Sequence, residues 1–369
     1  MSKLPKKPKI PIMIRFAASF CLGALCVLLV VIASSSPSET KSAFGAWSRS
    51  VSIFLSGVFS LLPIPVAELL LYGFILLALI TLVRAVVRIF RWHSARPLLA
   101  WLSSVVLTAA CLVFLFLSLW GLNYYATPLA SEMDIPDRSP QTLFQTAVWL
   151  RDEMNLLAPQ VNRDQDGVTD AGGFEELAAR AALGYDALAD AGGDYARGLA
   201  PPKRPMFPAL LMRFGIAGIY VPFTGEALVD DSVMDSHLPF SFSHELAHRQ
   251  GTAPEDEANY HAFLACVSHP DVIYRYSGYY VAFIYCSNAL AGADPELFSR
   301  LWEEVSPLVR NDMQAQSERL KKYEGPLQEM GEAVNNTYLE TMGQEQGARS
   351  YGLVVDMLIV EYMKKVGKD

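Results

Sequence analysis

The segment Ser243-His244-Glu245-Leu246-Ala247-His248 carries two imidazoles and a carboxylate in the HExxH spacing that can surround one metal ion. On a helix of 3.6 residues per turn, His244 and His248 stand one turn apart on the same face, so both can reach a single ion. Glu245 lies about 60° around the helix from His248. That offset keeps it beside the metal without making it a ligand, where a general base takes a proton from water that zinc has acidified to a pKa of about 7. The chain has six His in 369 residues. At that usage the pattern arises by chance in well under about one such chain in a hundred. The competing reading is an amphipathic helix with two packed histidines.

The residues that follow bear on this choice. Gly251 stops one helix, and Pro254 with the acids Glu255, Asp256 and Glu257 starts the next. A helix, tight turn and second helix can bring a third protein ligand over the metal, leaving the fourth position to water. One zinc-peptidase pattern places a third His six residues after the second; Pro254 stands there and rules it out. The other common pattern takes a Glu with a short polar side chain four residues later, which Glu255 and Asn259 match. Thr252-x-x-Glu255 also reads as a capping box, and if Glu255 is used in that way, Glu257 becomes the ligand. Glu255 is favoured because only it has the partner at Asn259.

The elements that must hold these residues fall into two regions. The first 120 residues carry a net charge of +9 and the remaining 249 a net charge of −17, a split hidden in the overall −8. Nothing in the acidic part offers the basic face that nucleic acid requires. Three apolar runs, Phe16 to Ala33, Val66 to Val83 and Leu98 to Leu119, are long enough to cross a bilayer, with Glu68 the one charge near an end. Lys3, Lys6, Lys7 and Lys9 precede the first run, and Arg84, Arg88, Arg91 and Arg96 fill the connection between the second and third, whereas Lys41 and Arg49 alone lie between the first two. The positive-inside rule then puts the N-terminus and the Arg connection in the cytoplasm and everything after Trp120 outside it. Trp120, Tyr124 and Tyr125 fit an aromatic belt at the outer interface. The Lys-rich start and Ala33-Ser34-Ser35 resemble a signal peptide, but the apolar stretch is long for one, which favours an anchor. Phe44 to Leu62 reads as an interfacial helix.

Beyond Asp137 the apolar positions recur at helical spacing, including Leu143, Ala147, Leu150 and Met154, then Phe174 to Leu188 and several later segments. Tyr351 to Met363 is interrupted by Asp356 and Glu361, which favours a core helix over a fourth span. Strand signals are confined to Gly218 to Asp230, an edge hairpin that either holds a substrate backbone or merely covers the core. Asn162-x-Asp164-x-Asp166-Gly167 opens like a calcium loop, but Gly173 stands where a bidentate Glu is needed, so a polar turn is expected. Cys266 and Cys286 are compatible with a disulfide outside the cytoplasm, yet fall in helical runs and read equally as buried thiols.

The chain resembles a family of uncharacterised bacterial membrane proteins, a domain of unknown function with N-terminal spans and a zincin-like motif. The resemblance rests on Trp120-Gly-Leu-Asn-Tyr-Tyr125, Pro222-Phe-Thr-Gly-Glu-Ala227, His244 to His248 with Gly251, Glu255-Asp-Glu-Ala-Asn259, Phe263-Leu-Ala-Cys266, Tyr338-Leu-Glu and Tyr351-Gly. It implies membrane location and zinc dependence. Glu255-x-x-Ala258-Asn259 is also similar to the third-ligand segment of zinc peptidases, which again favours Glu255.

The sequence therefore leads us to expect a mainly α protein with a minor β part. Residues 1–120 would form a membrane domain of three spans (about 16–33, 66–83 and 98–119), and 121–369 an extracytoplasmic, zincin-like domain with a short edge β-hairpin. The expected function is a multi-pass, membrane-anchored zinc metallopeptidase, with His244, His248 and Glu255 on Zn2+ and Glu245 as base, acting on a peptide or protein. Tyr279, Tyr280, Tyr285 and His261 are candidate oxyanion donors, with none preferred. The alternatives are a non-catalytic zinc-binding sensor or scaffold, which would close the site with a fourth ligand such as His261 or His269, and a zinc amidase acting on cell-wall material.

Overall fold

The computed structural model describes residues 11–207, 209–342 and 351–367. Lys3, Lys6, Lys7 and Lys9 lie outside them, as does the side chain of Tyr351. The chain opens with helices α1 (Ile12–Ser35), α2 (Pro37–Glu39), α3 (Gly45–Phe59), α4 (Val66–Trp92) and α5 (Arg96–Leu119). Of these, α1, α4 and α5 are long and apolar enough to cross a bilayer, and most of their surface faces outward. These three helices suggest a membrane protein.

Helices α1 and α4 both pack on α5. Arg15 Nη1 donates to Ala100 O at 2.9 Å and to Ser104 Oγ at 2.6 Å, so the start of α1 lies beside the start of α5. Trp101 Nε1 donates to Thr81 Oγ1 at 3.2 Å and ties α5 to α4. The helices run further than the apolar runs alone indicate. Arg84, Arg88 and Arg91 belong to the last turns of α4 rather than to a connection, which shrinks to His93–Ala95 with His93 at φ 46°. Arginine is a good helix former with a long apolar stem, so charge did not end the helix there.

Helix α3 turns one stripe, Ser48, Ser52 and Ser56, into the protein, while Trp47, Phe54 and Val58 stay exposed. Its spacing of four residues puts the serines on one face.

The rest is built from α6 (Pro140–Leu157), α7 (Phe174–Arg180), α8 (Leu183–Asp190), α9 (Leu210–Arg213), β1 (Gly218–Val221), β2 (Glu226–Val229), α10 (Leu238–Arg249), α11 (Glu255–Ser268), α12 (Val272–Ala293), α13 (Pro295–Glu303), α14 (Pro307–Lys321), α15 (Pro326–Thr341) and α16 (Tyr351–Val366). Start signals are local. Ser139 accepts from Thr142 N–H ahead of Pro140, and Asp294 from the N–H groups of Glu296 and Leu297 ahead of α13. Leu150, Met154, Phe242, Leu246, Phe263, Tyr276, Phe283 and Leu358 form one core in which α6, α10, α11, α12 and α16 meet. Helix α16 is a core helix, with Val355, Met357, Leu358 and Ile359 buried and Asp356 held by Arg138. Cys266 and Cys286 are free, buried thiols. The stretch from Asn162 to Asp170 is a polar turn in which Asp164 Oδ1 accepts from its own loop, at Asp166 N and Val168 N.

The sheet is one antiparallel pair, with Gly218 opposite Val229 and Val221 opposite Glu226. On its far side, β2 bonds Lys203 through Ala227 O and Val229 N. Among the described residues no strand covers the outer edge of β1.

Candidate metal centre

Every residue of α10 except His244 is buried. Leu246 and Ala247 face the core, Tyr185 of α8 donates its hydroxyl to Ser243 O at 2.8 Å, and Arg249 reaches sideways from the last turn. Arg249 Nε donates to Gly225 O at 3.0 Å, and its Nη1 donates to Ala200 O. The helix carrying both imidazoles is thus fixed in rotation and height by neighbours on three sides. Its one opening is at His244, 15% exposed, and at Glu255, 32% exposed, on α11.

The turn Gln250–Pro254 folds α11 back against α10 and sets Glu255 before the two rings. The Nε2 atoms of His244 and His248 are 3.1 Å apart, and Glu255 oxygens lie 3.2 Å from the first and 3.7 Å from the second. One donor atom from each residue falls within 4.8 Å of the other two, so the three could hold a metal ion.

The far nitrogens are both engaged. His248 Nδ1 donates to Thr252 O at 2.7 Å, and His244 Nδ1 to Asn259 Oδ1 at 2.9 Å, itself reached by the Tyr285 hydroxyl at 3.2 Å. With both protons placed on Nδ1, the two Nε2 lone pairs and a carboxylate point at one spot. Three electron-rich atoms repel unless a cation lies between them.

The electrostatics say the same. Burial by itself would lower His244, but Glu255, Glu245 and Asn259 push it up to about 9. Burial holds His248 down at about 4. Against its own burial, Glu255 is drawn down to about 2 by His248 and His244.

Glu245 sits behind this trio, 4% exposed, with Oε2 lacking any partner among the described residues. Burial pushes its carboxyl up to about 8, helped by Glu255 and opposed by His244 and Arg249. It lies against Gly218 of β1, where an added Cβ would come within 2.6 Å of Oε1. Only glycine leaves that carboxylate its place.

Other sequence expectations divide. Glu257, the alternative ligand, turns away and accepts from Leu129 N–H at 2.7 Å. Helix α11 has no side-chain cap, so Glu255 is not spent on capping. Tyr285 supports Asn259, whereas Tyr280 donates to Gln316, Tyr279 meets Trp149 edge-on, and His261 meets the Tyr195 hydroxyl. His269 is bonded to Arg180 O and Asp271 N–H. Neither His261 nor His269 joins the trio.

Trp120 and Tyr124, which composition placed in an aromatic belt, are instead buried against the site. Trp120 Nε1 donates to His248 O at 3.1 Å, and its ring meets that of His248 at 5.8 Å. Tyr124 meets Tyr338 of α15 at 5.9 Å; burial raises both phenols, Tyr338 to about 12, and the charge of Glu255 adds to the effect. No sequence signal except the Tyr338-Leu-Glu match pointed to Tyr338.

Across residues 46–359 the chain matches the family described as "Protein of unknown function (DUF3810)". No curated protein and no solved structure matches it.

Proposed function

The chain belongs to the DUF3810 family, and from its side-chain arrangement we propose that it is a membrane-anchored, zinc-dependent peptidase acting outside the cytoplasm. The observation that carries this reading is the convergence of two Nε2 lone pairs and the Glu255 carboxylate beside a buried carboxylate with an unpartnered oxygen. Two imidazoles and one carboxylate suit zinc, and three protein ligands with an opening to solvent suit a catalytic rather than a structural ion. A non-catalytic site would need a fourth protein ligand, and the candidate histidines are bonded elsewhere.

Zinc held by His244, His248 and Glu255 would acidify water and polarise a carbonyl oxygen. Glu245 takes the proton from the attacking water and passes it to the leaving amine. The outer edge of β1 supports a peptide substrate. Asp230 N–H bonds Ala217 O, so by the alternation of an antiparallel ladder Gly218 and Tyr220 turn their N–H and C=O away from β2. An extended peptide added there would run past Glu245.

The sidedness follows from charge. Arg84, Arg88, Arg91 and Arg96 gather at the α4–α5 turn, the end of the bundle opposite the metal centre, and basic ends face the cytoplasm.

Glu245→Gln tests the reading. It should retain zinc at full stoichiometry while hydrolysis of a mixed peptide library falls by about 10²-fold or more. Metal analysis together with mass readout of products, with chelator and with zinc restored, separates the two effects. Full activity in the variant would remove Glu245 as base, and a chelator-insensitive activity would remove the metal.

A further inference from the structure

The metal centre is not carried on a stalk. Trp120, the first residue after α5, donates to the last turn of the motif helix and meets the His248 ring edge-on. Phe116, within the last turn of α5, meets both Trp120 and Tyr338, the residue flanking Glu255, at 6.0 and 6.3 Å. One layer of aromatic rings therefore separates the ligands from the end of a spanning helix.

The second wall of the site is tied down in the same way. Gly225 in the hairpin turn is so close to α3 that a Cβ there would lie 2.5 Å from Ser52 O, and the Tyr220 hydroxyl of β1 donates to Ser52 Oγ at 2.6 Å. Glu226 of β2 accepts from the N–H groups of Val66 and Ala67 at 3.0 and 2.7 Å, capping α4, and Lys203 Nζ bonds that carboxylate at 2.7 Å. Arg49 Nε of α3 donates to Gln250 O, at the end of the motif helix, at 2.9 Å. Both the metal-bearing helix and the free strand edge are thus fixed to the ends of the spans.

The hairpin and the segment that follows Lys203 on the far side of β2 carry exposed apolar side chains. Met206, Phe207, Ile219 and Phe223 are exposed, Phe207 meets Tyr72 of α4 at 5.6 Å, and Leu61, Leu62 and Ile64 are exposed on the link from α3 to α4. A patch continuous with spanning helices suits the surface of a bilayer rather than open water.

We propose that the substrate is a membrane-tethered polypeptide, cut where its extended segment leaves the bilayer. This rests on the hydrolytic reading above. A bond presented far above the bilayer cannot lie along β1 without leaving its own anchor, whereas a segment emerging beside the end of α5 does so next to β1, since Trp120, the residue after α5, meets Tyr220 of β1 at 5.6 Å.

The test uses the full-length, zinc-loaded protein in liposomes with substrates that share one peptide and one apolar anchor. In one the peptide follows the anchor after about 5 flexible residues; in the other a stiff helical spacer of about 30 residues lifts it by roughly 45 Å. The same peptide, free in solution at equal concentration, is the third arm. The expected result is cleavage of the close substrate at least ten-fold faster than of either other. Equal rates for close and raised substrates would overturn the inference while leaving the peptidase reading intact. No cleavage in any arm, with zinc bound, would overturn both.

Discussion

His244 and His248 share a helix face but not a charge state, because the carboxylates of Glu255 and Glu245 lie against the first more than they relieve the burial of the second. At neutral pH in the metal-free protein, the one proton among the three ligand groups is on His244, since His248 at about 4 and Glu255 at about 2 have already lost theirs. A metal ion must displace it. Apparent affinity should therefore climb about ten-fold per pH unit through neutrality and level off near the His244 value of about 9. Calorimetry in buffers of different ionisation enthalpy should find at least about one proton released per ion at pH 7, from His244, with Glu245, itself raised to about 8, adding to it. An affinity flat from pH 6 to 8 would contradict this distribution of charge.

Among the elements, β1 and α10 act as one unit, because Glu245 occupies the space a side chain at residue 218 would need. The obstructed atoms are the end of a flexible side chain rather than backbone, so Gly218→Ala should displace the carboxylate and leave the fold standing. We expect zinc stoichiometry and melting temperature close to those of the parent, with kcat lower by about ten-fold or more as proton transfer loses its alignment. A variant with unchanged kcat would show that this contact does not position the base. The hairpin itself was visible in sequence from its β-branched and aromatic residues between Pro and Gly, whereas its contact with Glu245 was not, since no local pattern encodes which strand lies over which helix.

On the scale of the whole molecule, the spans and the helical part are joined by buried side chains rather than by a linker. Trp120, Tyr124, Tyr220 and Ala253 form one small core across the boundary, so the site borrows part of its support from the membrane end of the chain. Trp120→Ala removes a buried indole and leaves His248 O with its backbone donors alone, among them Gly251 N–H at 3.0 Å. It should cost about 3 kcal/mol and weaken metal binding as well, since the indole packs edge-on against the His248 ring. Thermal unfolding in detergent, with and without metal, reads both effects. An unchanged metal affinity would mean that the motif helix holds its place without this anchor.

The sequence by itself determined what is periodic or adjacent along the chain: three apolar helices, a mainly helical remainder, a short hairpin, and a His-Glu-His spacing whose geometry one helical turn dictates. It narrowed the third ligand to Glu255 or Glu257, because both stand in the first turn after Pro254. Only the tertiary structure sets their surroundings apart, turning Glu255 toward the imidazoles, where it could share a metal ion with them, and Glu257 toward Leu129 N–H. It likewise moved Trp120 and Tyr124 from an expected lipid belt into the wall of the site, and brought in Tyr338 from more than two hundred residues away. The physical reason is the same in each case: periodicity fixes which face of an element a residue occupies, but what meets that face depends on packing between elements distant in the chain.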